Sequence, residues 1–268
     1  MYCESLLRHF SAIGARLKFR KVNVTSWWFT PPPYTIDVRR DRRGEYFEIS
    51  LRDEASDIDI IVLQSVPKER HLLLYATDGH RFLCGHDERH WFVAQVARPV
   101  SSVRDARQAL VPPDIWERVR GLPSEEFLKR RNVAFKRQGE WFFIPTNRTF
   151  NGAVIYRNEP IQRNARSTPH ICEELVREGG EVVYVLRRSG RVLTEDEYRD
   201  YRNRFRRKAE KGEQRVRSAR VYARGRIRHP DHKTLVLEDW HRVLINSEVA
   251  PVVDAYGRVS FSRSRFID

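Results

Sequence analysis

Tyr34-Thr35-Ile36-Asp37-Val38-Arg39-Arg40-Asp41-Arg42-Arg43-Gly44-Glu45-Tyr46-Phe47-Glu48-Ile49-Ser50-Leu51 alternates apolar and polar residues on both sides of a charged turn. A side-chain period of two puts Tyr34, Ile36 and Val38 on one face, and Phe47, Ile49 and Leu51 return on it after Asp41 to Gly44. This is an antiparallel hairpin with one face to bury. Upstream, Leu6, Phe10, Ile13 and Leu17 recur at helical spacing over residues 4–17, so a short amphipathic helix that needs a sheet to pack on is expected. Downstream, the apolar runs Ile58 to Val66 and His71 to Ala76 flank a turn at Pro67, and Trp91 to Val96 follows a loop. Residues 20–97 therefore read as mainly antiparallel sheet.

Beyond Pro99 the pattern changes. Ser101 or Ser102 caps a helix reaching about Leu110, Pro112-Pro113 stops it, and Ser124 with Glu125 and Glu126 starts another. Residues 133–144 read as a second hairpin, with Val133 and Phe135 opposite Trp141 and Phe143 across Arg137 to Glu140. Thr168-Pro169 and Gly179-Gly180 bracket an expected short helix, followed by a strand from Val182 to Leu186. Thr194 to Glu197 form a capping box with Leu193 and Tyr198 at staple positions, so a helix begins at Glu195. The expectation is an α+β protein of two antiparallel β-rich units joined by short helices: residues 1–98, a helical connector over 99–131, and a C-terminal β-rich domain over 132–268.

At 268 residues and 40% apolar composition the chain can bury a core without disulfides. Its apolar runs are strand-length, so no membrane span is expected. The first 20 residues are interrupted by charges that a secretory leader would not carry. Three widely spaced cysteines agree with a reducing, cytoplasmic setting. The formal charge is +14, with 42 Arg and 8 Lys, and thirteen of these cations fall in residues 199–228 against three acids. So local an excess favours a polyanionic partner, RNA or DNA, gripped through its phosphates.

Two elements carry it. On the helix after Thr194, Tyr198, Tyr201 and Phe205 share a docking face while Arg199, Arg202 and Arg206 form an adjoining stripe that continues into Arg207 and Lys208. Arg215 and Arg217 follow. From Ala219 to Arg228 apolar residues then alternate with Arg220, Tyr222, Arg224, Arg226 and Arg228, placing four guanidinium groups and one phenol on one face of a strand. Arg bridges phosphate oxygens, and Tyr222, with Tyr198, Tyr201 and Trp240 nearby, suits unpaired bases. The competing readings are an edge strand charged against aggregation, an acidic protein partner, and an anionic membrane surface, the last without a lipid anchor to support it.

Chemistry is less evident. His229-Pro230-Asp231-His232 adjoins the basic strand, and His229 with His232 forms an acid/base pair for cutting nucleic acid, or with Asp231 a holder for a divalent ion. His241 would lie about 25 Å from His232 on a return strand. His80, Cys84, His86 and His90 form the densest ligand-like cluster, a conceivable zinc site whose spacing fits no common finger or ribbon. No cofactor is required by the pattern; zinc or magnesium are the candidates it allows. Cys172, expected at a helix N-terminus beside His170, is a candidate nucleophile, with a buried structural thiol as the plainer reading. Walker A, Gly-x-Gly-x-x-Gly, His-Glu-x-x-His and Gly-x-Ser-x-Gly signatures are absent.

Overall fold

The computed structural model describes residues 2–22, 32–52, 58–163, 167–253 and 259–263. The stretches 23–31 and 53–57, inside the expected sheet over 20–97, lie outside the described residues. The chain divides into two compact units, one of residues 1–128 with 246–263, the other of residues 129–245 with 264–268.

The first unit begins with α1 (Tyr2–Ala12), whose Leu6 and Phe10 are buried. Gly14, at φ +82°, ends the helix before Leu17, which opens a strand rather than continuing the helix. Strands β1 (Leu17–Val22), β2 (Tyr34–Asp41) and β3 (Gly44–Arg52) form a sheet with β3 central, parallel to β1 and antiparallel to β2. The opening hairpin is therefore present with Asp41 paired to Gly44 across its turn. Strands β4 (Ile60–Val66), β5 (His71–Ala76), β6 (Arg81–Asp87) and β7 (His90–Val96) make an antiparallel meander. Its two faces belong to different cores: Leu72, Leu74 and Cys84 pack with Phe10, Phe47 and Ile49, whereas Leu73, Leu83 and Ala94 pack under α2 (Val103–Ala109). Burial on both sides explains why β5 reads as an unbroken apolar run. Ser102 caps α2 by accepting from the Asp105 amide at 3.0 Å. Two single-turn helices, α3 (Trp116–Val119) and α4 (Ser124–Phe127), follow.

The second unit contains β8 (Lys136–Gln138), β9 (Trp141–Pro145), β10 (Tyr156–Ile161) and β11 (His170–Glu178). Next come β12 (Glu181–Leu186), β13 (Val192–Thr194), α5 (Glu195–Phe205), β14 (Gly212–Arg217), β15 (Arg220–His229) and β16 (His232–Ile245). Six strands form one antiparallel sheet in the order β10-β11-β15-β16-β9-β8, and β13-β12-β14 form a second. Val133 lies before β8 and is exposed, so the second hairpin is shorter than its alternation implied and turns at Gly139-Glu140. A last hairpin, β17 (Val249–Val253) with β18 (Val259–Arg263), belongs to the first unit.

Two expectations are corrected. The described residues are mostly sheet, 50% strand and 19% helix, not a balanced α+β fold. The segment between Pro169 and Gly179 is strand β11, not a helix. Its register shifts between Cys172 and Glu174, and this bulge lets Cys172 and Leu175, three apart, both enter the core with Ile227 and Leu237. Thr168-Pro169 and Gly179-Gly180, which resemble the start and stop of a helix, bound this bulged strand instead. No helix among the described residues is long and apolar enough to cross a membrane.

Candidate functional site

Helix α5 starts where the capping box places it: the Thr194 hydroxyl accepts from the Glu197 amide at 3.3 Å, and the Glu197 carboxylate accepts from the Thr194 amide at 2.8 Å. Tyr198 stacks on Tyr184 at 4.2 Å between ring centroids and its hydroxyl accepts from the Gly212 amide at 2.9 Å. Tyr201 accepts from the Glu210 amide at 3.1 Å. The tyrosines thus anchor the helix, and the turn Arg206–Lys208 continues it. Arg199, Arg202, Asn203, Arg206 and Arg207 line an open cleft of about 520 Å³. Arg199 is paired with Asp196. Arg202, Arg206, Arg207 and Lys208 are exposed and, among the described residues, no carboxylate lies within ion-pair distance of them.

The strand behaves differently. β15 lies inside its sheet between β11 and β16, which also removes the edge-protection reading. Arg224 is held by Glu174 at 2.6 Å and covers Trp240, Arg226 is held by Glu173 at 3.1 Å, and Arg228 donates to Asn158 at 2.6 Å. On β14, Arg215 and Arg217 pair with Glu213 and Glu181. Arg220 alone of the β15 row is exposed with no such partner among the described residues. Tyr222 is buried, packs on Phe150 and accepts from Arg148 at 2.6 Å, and Trp240 is buried beside it. Neither ring is presented to an unpaired base, so that expectation is corrected, as is a free phosphate ladder along β15.

Sheet pairing assembles a second constellation that no stretch of sequence contains. His170 opens β11, His229 closes β15 and His232 opens β16; Ile171 pairs with Arg228, and His229 pairs with His232. One nitrogen from each of the three rings lies within 4.8 Å of the other two. His170 stacks on His229 at 4.2 Å and faces His232 at 5.6 Å. It is 1% exposed, and neither ring nitrogen has a hydrogen-bond partner. Burial, then the charges that His229 and His232 would carry, push its pKa down to about 3, so the ring is neutral. His229 is also shifted down, chiefly by burial and then by His232, with Asp231, Glu140 and a Thr168 backbone hydrogen bond opposing.

Asp231 shapes the turn: its amide donates to His229 Nδ1 at 3.2 Å, and its carboxylate stands 4.0 Å from that nitrogen. In the β8–β9 turn, Gly139 lies against the cluster at φ +56°; a Cβ there would come within 3.0 Å of His232 Nε2 and 3.4 Å of His170 Nε2. His229 and His232 were legible as a local pair. His170 was not, because only the pairing of β11 with β15 brings it to them.

The other sequence candidates do not converge. Cys84 is buried in the first unit's core, and His90 sits at the start of β7, bonded to Glu45 at 2.6 Å. His80, beside Asp78 at 2.9 Å, adjoins the end of β6 where Arg81 pairs with Val96, whereas His90 pairs with Asp87 at the other end. That separates the two imidazoles by roughly 20 Å of strand. His86 packs edge-on against Trp91. Cys172 lies in a strand, fully buried, with burial pushing its thiol up to about 12, which suits packing rather than nucleophilic attack. His241, nine positions along β16 from His232, is buried beside Pro145.

No known protein-family model matches the chain, and neither does any curated protein or solved structure.

Proposed function

We propose that this protein binds the phosphate backbone of nucleic acid through α5 and the turn that follows it. The observation that carries the reading is the set of four exposed cations, Arg202, Arg206, Arg207 and Lys208, that have no carboxylate partner among the described residues, while the arginines of β14 and most of those of β15 are paired. Guanidinium groups whose charge is not spent internally are the ones available to release counterions and take up phosphate. The tyrosines of α5 are engaged in packing, so contact is with backbone rather than bases, and binding is independent of sequence. Three free cysteines support a reducing compartment such as the cytoplasm.

The test is fluorescence anisotropy of the purified full chain with labelled single-stranded RNA, single-stranded DNA and duplex DNA. Binding to all that weakens with salt, and that falls when Arg202, Arg206 and Arg207 are changed together to Glu, is the expected result. Wild-type protein that ignores all three, or a triple variant that binds unchanged, overturns the reading. Tighter binding to polyglutamate than to RNA moves the site to an acidic protein partner.

A further inference from the structure

We infer that His170, His229 and His232 form a binding site for a divalent transition-metal ion of the zinc class. The site is independent of the α5 surface. Three features converge on it.

The first is the donor set. Three imidazoles converge at one end of adjacent strands, with their nitrogens within 4.8 Å of one another. Three histidines are a sufficient protein contribution to a tetrahedral site whose fourth position is left to water or another ligand, with nitrogen-to-metal distances of about 2.0–2.1 Å. Nitrogens 4.8 Å apart stand just under about 3 Å from their common centre, so less than about 1 Å of ring movement closes the site.

The second is His170 itself. A ring that is 1% exposed with both nitrogens unpartnered leaves polar atoms buried without compensation. An isolated structural histidine would ordinarily satisfy at least one nitrogen. A metal ion bound by one of its nitrogens satisfies it.

The third is the space. A Cβ on Gly139 would stand 3.0 Å from His232 Nε2 and 3.4 Å from His170 Nε2, so the glycine leaves space beside both nitrogens. Asp231, at 4.0 Å from His229, supplies a negative charge at the rim. Hard cations such as magnesium prefer oxygen ligands, so an all-imidazole set selects zinc, cobalt, nickel or copper instead.

The experiment uses the full chain, stripped with chelator and titrated with Zn²⁺ and with Co²⁺. Wild-type protein should take up about one equivalent of zinc, and cobalt should produce the intense visible absorption of a tetrahedral site. His229→Ala and His232→Ala lie at the mouth of the cluster; each should weaken zinc affinity by more than about 100-fold, beyond the ~10–100-fold cost of losing a supporting group. Circular dichroism of both variants confirms that they are folded. His170→Gln provides a third readout, with zinc raising the melting temperature of wild type but not of this variant. Less than a tenth of an equivalent in wild type, or unchanged affinity in folded His229→Ala and His232→Ala, overturns the site. Nucleic-acid binding by metal-free protein would be unaffected by either outcome, so the two readings fail separately.

Discussion

The Glu173 carboxylate accepts from both the backbone amide and the Nε of Arg226, at 2.8 and 3.1 Å, although the two residues are 53 positions apart. Glu173 stands at the bulge of β11, and Arg226 follows Gly225 on β15, where the register shifts again. Two irregularities in adjacent strands face each other, and a carboxylate bridges them. Arg226 also holds Glu173 below the usual carboxylate range, first through its amide and then through its side chain. The arginine is committed to the sheet.

Gly225→Ala should destabilise the second unit by about 2 kcal/mol, because the position has φ +81° and a Cβ would meet Glu173 at 2.8–3.1 Å. Urea denaturation measures it; an unchanged midpoint would show that the strand accommodates a side chain.

Salt titrations of duplex DNA binding should separate the two arginine groups. Removing Arg202, Arg206 and Arg207 should reduce the slope of log affinity against log salt by about 2–3, at about 0.9 per phosphate contact. Arg224→Gln with Arg226→Gln should leave the slope intact while lowering stability, since Glu174 and Glu173 already occupy those groups. Equal slope changes in both variants would contradict the assignment.

Thr194→Ala should cost about 1 kcal/mol and fray the first turn of α5. Hydrogen exchange at Glu197, whose amide bonds to the Thr194 hydroxyl, reads this directly; unchanged protection there would mean that tyrosine packing alone holds the turn.

Native protein should expose one fast-reacting thiol to a disulfide reagent, Cys3, because Cys84 and Cys172 are both 0% exposed. Rapid modification of a second cysteine without denaturant would be incompatible with these cores.

Acidification should destabilise the second unit through His241. Burial holds this imidazole below its ordinary value of 6.5, with Lys136 acting in the same direction and the Asp239 carbonyl and charge opposing. With the folded pKa depressed, the unfolded chain takes up the proton first. Stability is therefore complete above about 6.5 and lost as pH falls from there toward the folded value. His241→Gln should show a shallower decline in urea midpoint between neutral pH and pH 5; a decline identical to wild type would remove His241 as its source.

Where the signal was local, it was legible. The capping box at Thr194 and Glu197, the Ser102 cap and the turn between Asp41 and Gly44 each involve residues within a few positions of one another. Alternation also located β15, and unbroken apolar runs located β4, β5 and β7. The start and stop signals failed at β11, where Thr168-Pro169 and Gly179-Gly180 bracket a bulged strand rather than a helix.

What composition and periodicity determined by themselves is a sheet-forming chain with a basic segment over residues 199–228 and a histidine pair at its end. Which cations remain available, and that a third histidine completes the cluster, were decided only in three dimensions. Strand pairing carried Glu173 and Glu174 alongside Arg226 and Arg224, and set His170 beside His229, across some fifty to sixty positions of chain. Charge and donor count are additive along a sequence, but neutralisation and ligation depend on distances of a few ångströms, and those belong to the sheet.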